Sequence, residues 1–372
     1  MTQRPTGKKR VIVFAGSYGG AARGAGEAMV SYFRARHPET VEVQLVDFLE
    51  AFMPNLNVLA KFAYQQSGEF FPAGRRDFAQ LASSAHANQV VHELATGGME
   101  RVASYLGEYR PDVVISTSPI AGGVAAELSA QIPFLPVGVL TDYDAHDVWM
   151  HPATAFVFVA SREVRDELAV GGTPWDRIIV SGVPVAEKFT APGHSAEVRA
   201  QMDIVDRFTA LLLAGPASQS NTDSIAAQLA TSGIQVIAVA GTNSRLQRRL
   251  DAVAAKTSLV RVFGFTDEMH KLMHAADVLI GKAGGLAVPE SLAVALPLVI
   301  HGAVPGRETQ NVDFLVNCGA ALLSRDEIDA VEKVRFLSTH PQRLAQMSAN
   351  AGTLGKLEAV QTICERVLVS AR

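Results

Sequence analysis

Short β-branched runs recur along the chain, separated by amphipathic stretches of helical length. The first set is VIVF (11–14), VEVQLV (41–46), DVVIS (112–116), FLPVGVL (134–140), AFVFVA (155–160) and RIIVSG (177–182). This alternation predicts βαβ units and a parallel sheet. The rhythm then restarts with ALLLAG (210–215), IQVIAVAG (234–241), LVRVFGF (259–265), DVLIG (277–281), LPLVIHG (296–302) and GAALL (319–323), which predicts a second doubly wound domain. Between the two sets, PVAEKFTAPGHS (184–195) carries two prolines, a glycine and neither a strand nor a helix period, so it reads as the linker. The expected domains are therefore 1–190 and 191–372. A final segment from Leu357 to Val369 is helical by the spacing of Val360, Ile363 and Val367, and its pattern allows it to pack on either domain, including back on the first. The predicted fold class is α/β, with two doubly wound Rossmann-like domains facing a cleft. In such sheets ligands bind at the carboxyl ends of the strands.

Composition narrows the function classes. A chain of 372 residues exceeds what one ordinary core supports, in keeping with two domains. At 48% hydrophobic and 19% charged residues it is globular, and no apolar run approaches the ~20 residues that span a bilayer. The start, MTQRPTGKKR, runs straight into a strand without the longer apolar segment of a signal peptide, which predicts a cytoplasmic protein. Net charge is −4, and the halves differ little: residues 1–190 hold 16 Lys and Arg against 20 Asp and Glu, residues 191–372 hold 17 against 17. That balance gives no broad basic face for nucleic acid. Cys318 and Cys364 have no metal-ligand spacing and form no disulfide framework, so they read as packing residues.

The sharpest chemistry lies in LIGKAGGLAVPESLAVALPLVIHGAVPGRETQN, from Leu279 to Asn311. Gly281 opens the turn after a strand, and Gly284-Gly285 fall where the next helix begins. Paired glycines there let backbone N–H groups approach a diphosphate, whose charge a helix N-terminus favours, and Lys282 adds a cation. Taken alone, two glycines also suit a tight turn with no ligand. Glu290 lies about one and a half turns into the helix, a depth at which a carboxylate accepts hydrogen bonds from two ribose hydroxyls. In the first half, TDYDAHDVWMHP (141–152) places an Asp at a strand's carboxyl end with two histidines close behind, all titratable groups. His146 and His151 are five apart, not the four that sets two metal ligands on one helical face, so no metal site is expected.

These strings resemble a known family: the nucleotide-sugar glycosyltransferases of the GT-B fold, in the branch of monogalactosyldiacylglycerol synthase and the processive diacylglycerol glucosyltransferases. The family string K-x-G-G-x-x-x-x-E, then P-x-V-x-x-x-x-x-P-G-Q-E-x-x-N and a GAA, is matched by Lys282, Gly284, Gly285, Glu290, Pro297, Val299, Pro305, Gly306, Glu308, Asn311 and Gly319-Ala320-Ala321. Arg307 stands where relatives often carry glutamine. The resemblance implies a diphosphate on Gly284-Gly285, a ribose on Glu290 and sugar hydroxyls on Glu308 and Asn311. It also implies a base read by the backbone from Phe263 to Phe265, and Gly215 facing the diphosphate from the other side. TDYDAHDVWMHP is similar to the family's T-D-x-x-x-H-x-x-W-x-H, with Asp142, His146, Trp149 and His151 on the marked positions. SGVPVAEKF (181–189) resembles the family's exit from the first domain.

The implied activity is inverting transfer of a hexose from a UDP-sugar to a lipid hydroxyl such as that of diacylglycerol. No cofactor or metal is required if backbone dipoles and Lys282 stabilise the leaving diphosphate. The segment FMPNLNVLAKFAYQQSGEFFPAGRR (52–76) carries an apolar helical face beside Lys61, Arg75 and Arg76, suited to weak peripheral contact with the inner face of the cell membrane or equally to packing on its own core. The first domain's net negative charge weakens any binding to anionic lipid.

One position departs from the family. The opening loop AGSYGGAARGAG (15–26) has five glycines in twelve residues, and its Ser17, Tyr18, Gly19 and Gly20 are expected to shape the acceptor side. In relatives this loop ends in a histidine, the leading general base, whereas alignment places Ala22 there. Two outcomes follow. Either Asp142 takes the acceptor proton with His146 in support, or the protein binds a nucleotide sugar as a sensor or pseudoenzyme without efficient transfer. A transferase for a non-glycerolipid acceptor and a UDP-sugar 2-epimerase share the architecture as further alternatives.

Overall fold

The structure is a computed structural model that describes residues 7–16, 20–55, 57, 85–145, 149, 151–191, 195–202, 204–214, 221–303 and 308–371. The chain divides into two compact units. The first holds the described residues up to Ala186 together with Lys356 onward, and the second holds Glu187–Gly355.

In the first unit six parallel strands run in the order β2-β1-β3-β4-β5-β6, formed by β1 (Lys9–Ala15), β2 (Val41–Asp47), β3 (Val113–Ser116), β4 (Leu135–Val139), β5 (Phe156–Val159) and β6 (Ile178–Val180). Central strands of a parallel sheet are covered on both faces, which is why Val11 to Phe14 and Val113 to Ile115 are all apolar and fully buried. One face packs Met29, Val30 and Phe33 of the helix Gly20–Arg36. The other packs Phe48, Phe52, Val102 and Leu106. Gly26 allows the helix a close approach to the sheet, because a methyl group there would lie 2.9 Å from Leu45 Cδ1.

In the second unit the order is β12-β11-β10-β7-β8-β9, formed by β7 (Thr209–Leu213), β8 (Gln235–Gly241), β9 (Val260–Gly264), β10 (Val278–Gly281), β11 (Leu298–Ile300) and β12 (Ala321–Leu323), again all parallel. Its core gathers Leu212, Val236, Ala238, Val278 and Ile280 beneath Leu229, Leu250, Val334 and Leu337.

The end of the chain differs from a simple cut at residue 190. The helix Ala359–Ser370 belongs to the first unit, where Ile363, Cys364 and Val367 join Val11, Met29 and Phe33 in one buried cluster. Polar ties reinforce this docking: Lys9 Nζ donates to Leu368 O at 2.8 Å, and Glu365 Oε1 accepts from Tyr32 OH at 2.8 Å and lies 2.7 Å from His37 Nε2. Cys364 is thus a packing residue.

Strand order locates the places where a ligand crevice forms. Neighbouring strands whose connections run to opposite sides leave a gap at their carboxyl ends, and this occurs between β1 and β3 in the first unit and between β7 and β10 in the second.

Candidate functional site

The exit of β10 lies on the second unit's switch point and carries the string singled out in the sequence. Gly281 ends the strand, Lys282 to Leu286 form the turn, and the helix Ala287–Ala293 follows, with Pro289 in its first turn, where proline is tolerated. Leu286 stands at the cap position and supplies no capping oxygen. Val288 N closes the turn onto Gly284 O at 3.1 Å.

Around this turn the structure brings together five of the expected residues. The Lys282 ammonium makes no ion pair with any described residue. Gly284 faces Glu308, since a methyl group on it would lie 3.9 Å from Glu308 Oε1. Glu290 is half-buried, and no described side chain or amide donates to its carboxyl. Burial pushes this carboxyl up to about 8, with the Lys188 charge pulling the other way. The carboxyl is therefore held mainly in its protonated form at neutral pH, and two hydroxyl donors are what would favour its ionised form.

Asn311 has a different place from the expected one. It is 3% exposed, and its Nδ2 donates to Ala283 O at 2.9 Å, so the amide ties the helix Thr309–Asn317 to the β10 turn instead of presenting both donors to a sugar. The fixed amide holds the turn's shape. Phe263 lies on β9, three strands from β10 and so about 14 Å away at ~4.8 Å per strand, where it would meet the other end of an extended ligand. The ring of Phe265 is 74% exposed.

In the first unit the expected residues disperse. Asp142 is exposed on the bend after β4, between buried Thr141 and Tyr143. Asp142 and Asp144 form an Asp-x-Asp pair, and among the described residues no group of three His, Cys, Asp or Glu side chains comes together to hold a metal. Trp149, expected to face a substrate, is 7% exposed and packs in the core with Leu140, Val157 and Leu168. Its Cε3 is 3.2 Å from where a methyl group on Gly138 would be, so the bare glycine backbone is what admits the indole. His151 is also committed: its Nδ1 accepts from Ala153 N at 3.2 Å, which leaves Nε2 to donate to Glu127 Oε2 at 3.3 Å. Ala22 sits in the first turn of the helix Gly20–Arg36, and its carbonyl accepts from Thr117 Oγ1 at 2.8 Å. Ser17, Tyr18, Gly19, His146 and Gly215 lie outside the described residues, as do residues 58–76 and 304–307. Gly20 opens its helix.

Two polar groups at the rim were not singled out from the sequence. Lys188, on the short helix Glu187–Thr190, donates to Asp267 O at 2.7 Å and acts on Glu290; nothing in its local pattern marks it. His301 directly follows β11, a carboxyl-end position of the kind that drew attention to Asp142.

The two units define a class: α/β proteins with paired doubly wound domains of the GT-B type. The solved structure of Acinetobacter baumannii MurG superposes with a TM-score of 0.64 at 16% identity, covering 97% of this chain and 99% of that one. A UDP-GlcNAc 2-epimerase from Neisseria meningitidis, bound to UDP-GlcNAc, gives 0.63 at 15% identity over 97% and 100%. Within that class, residues 23–185 match the family described as monogalactosyldiacylglycerol (MGDG) synthase, and residues 219–366 match the glycosyltransferase family 28 C-terminal domain. The processive diacylglycerol beta-glucosyltransferase of Bacillus cytotoxicus is 26% identical over 366 residues, 96% of this chain and 93% of that relative. The chain is thus similar to the glycosyltransferases of the MGDG synthase and processive diacylglycerol glucosyltransferase family, matched in two parts that together span most of its length.

Proposed function

We propose that this protein is an inverting glycosyltransferase that moves a hexose from a UDP-sugar to the hydroxyl of a lipid such as diacylglycerol. The observation that carries the reading is Glu290: a half-buried carboxyl with no described donor, one and a half turns beyond paired glycines at a sheet's switch point. Leaving a carboxyl desolvated and unpaired costs stability, which a ligand's hydroxyls offset. The name of the Bacillus cytotoxicus relative supports the acceptor, and the UDP-GlcNAc held by the Neisseria structure supports the donor class.

In this reading the backbone of Gly284-Gly285 takes the diphosphate, with Lys282 adding positive charge as the leaving group departs. Glu290 takes the ribose hydroxyls, the backbone from Phe263 to Phe265 the base, and Glu308 a sugar hydroxyl. Asn311 acts by positioning the turn. The acceptor oxygen attacks the anomeric carbon, the bond from that carbon to the diphosphate oxygen breaks, and UDP leaves with the electron pair. The acceptor proton passes to Asp142, because alanine at position 22 takes none. No metal or cofactor enters this scheme. A lipid acceptor brings the protein to the inner face of the membrane as a peripheral contact, since no described helix is long and apolar enough to cross one.

Ala22 also favours a second reading, a nucleotide-sugar sensor. Incubation of the purified protein with labelled UDP-glucose or UDP-galactose and diacylglycerol vesicles, followed by lipid extraction, separates the two. Label in the organic phase is the expected result; tight binding of UDP-sugar with no labelled lipid would establish the sensor.

A further inference from the structure

His301 is tied into the same rim as the β10 turn, since its amide donates to Gly281 O at 2.8 Å. Its Nδ1 lies 3.0 Å from Ser324 Oγ. Ser324 is 7% exposed, and its hydroxyl donates to Ile300 O at 2.8 Å. A serine hydroxyl has one proton, and that proton is given to Ile300. Toward His301 the oxygen therefore accepts, so Nδ1 carries the ring proton. Nε2 is left with a lone pair, and no described group meets it. Burial holds the imidazole below its ordinary value, against the opposing pull of Glu327 and Asp326, so the ring stays neutral near pH 7.

A neutral ring with an unpartnered lone pair repels phosphate oxygens and takes a hydrogen-bond donor. In a sugar nucleotide the diphosphate offers no donor at neutral pH, and the ribose hydroxyls fall to Glu290 in the reading above. The hexose hydroxyls remain. Resting on that reading of the second unit as the donor domain, we propose that His301 accepts a hydrogen bond from a hydroxyl of the transferred hexose, and that Ser324 fixes the tautomer that makes this possible. His301 is then a specificity-determining residue, because epimers differ in the direction of one hydroxyl.

Calorimetry on His301→Phe, which keeps a ring of similar size without the lone pair, tests this. UDP affinity should stay within about twofold of wild type. Affinity for UDP-glucose and UDP-galactose should fall by roughly tenfold for the better-bound epimer and less for the other, shrinking the preference between them. Ser324→Ala should shift the same ratio in the same direction by a smaller factor. Nitrogen-15 spectra of the imidazoles, with the His301 signal assigned by its loss in His301→Phe, should show an unprotonated Nε2 in wild type. An Nε2–H tautomer, equal weakening of UDP and both conjugates, or no change in any of the three would overturn the proposal. Failure of the wild-type protein to bind UDP at all would instead overturn the donor-site reading, and this one with it.

Discussion

The loop leaving β4 in the first unit and the loop leaving β10 in the second both end a central parallel strand, and both carry residues that the sequence marked for chemistry. They are built in opposite ways. After β4 the described indole and imidazole are spent on the fold itself: Trp149 fills a slot over Gly138, and both ring nitrogens of His151 have partners. After β10, among the described residues, the Lys282 ammonium makes no ion pair and the Glu290 carboxyl is half-buried with no donor. A folded chain satisfies buried polar groups unless something else does so in the working state. That difference is what supports the proposed donor site at the β10 turn.

The largest expected effect falls on Asp142. Asp142→Asn should lower transfer by about 10²–10⁴-fold while leaving UDP-sugar affinity unchanged, measured by lipid labelling alongside calorimetry. Retained turnover would remove Asp142 as the base and leave the β4 loop with no assigned chemistry.

Asn311→Ala separates positioning from direct contact. It deletes the bond to Ala283 O in a buried place, so unfolding of the second unit in urea should shift by about 1–3 kcal/mol. A loss of sugar affinity with no loss of stability would instead make Asn311 a ligand contact.

Glu290 makes the comparison depend on pH. Ribose hydroxyls favour its ionised form, so binding must remove the proton that burial retains below about 8. UDP-hexose affinity should rise by up to about tenfold from pH 7 to 8.5, and binding at pH 7 should release protons, read from calorimetry in buffers of different ionisation enthalpy. Flat affinity across that range would contradict the role.

Glu365 gives the smallest effect and the opposite sign. Hydrogen bonding to His37 and then Tyr32 holds its carboxyl below the ordinary carboxylate range, so its stabilisation is present above about 4.5 and is lost as pH falls through its lowered value. Glu290 runs the other way, favouring the folded state at low pH and losing that contribution as pH rises through about 8. Glu365→Gln should cost under about 1 kcal/mol at pH 7, and the cost should vanish in acid. A cost that persists in acid would mean packing, not charge, docks the last helix.

The strands were legible because buried parallel strands are written as short apolar runs: each of the twelve runs overlaps its strand, and only β1, β2 and β7 extend beyond theirs. Gly284-Gly285 and Glu290 were legible because one turn and its helix set their spacing. The packing of Trp149 was not, since it depends on Gly122 and Gly138, from a helix and a strand distant in sequence, meeting one ring. The same holds for Asn311 on Ala283 and for His301 on Ser324, pairs that are separated by 28 and 23 residues and meet only when strands stack side by side. The docking of the last helix depends likewise on a tertiary choice, since its apolar face suits either unit until Ile363 and Val367 meet Phe33.

In the proposed function the second unit holds a UDP-sugar through Glu290. Calorimetry of UDP binding to wild type and Glu290→Ala, with the thermal transition of each recorded, tests it most directly. Wild type should bind at micromolar or tighter affinity, and the variant at least tenfold more weakly with its fold intact. Equal affinity for the two proteins would contradict it.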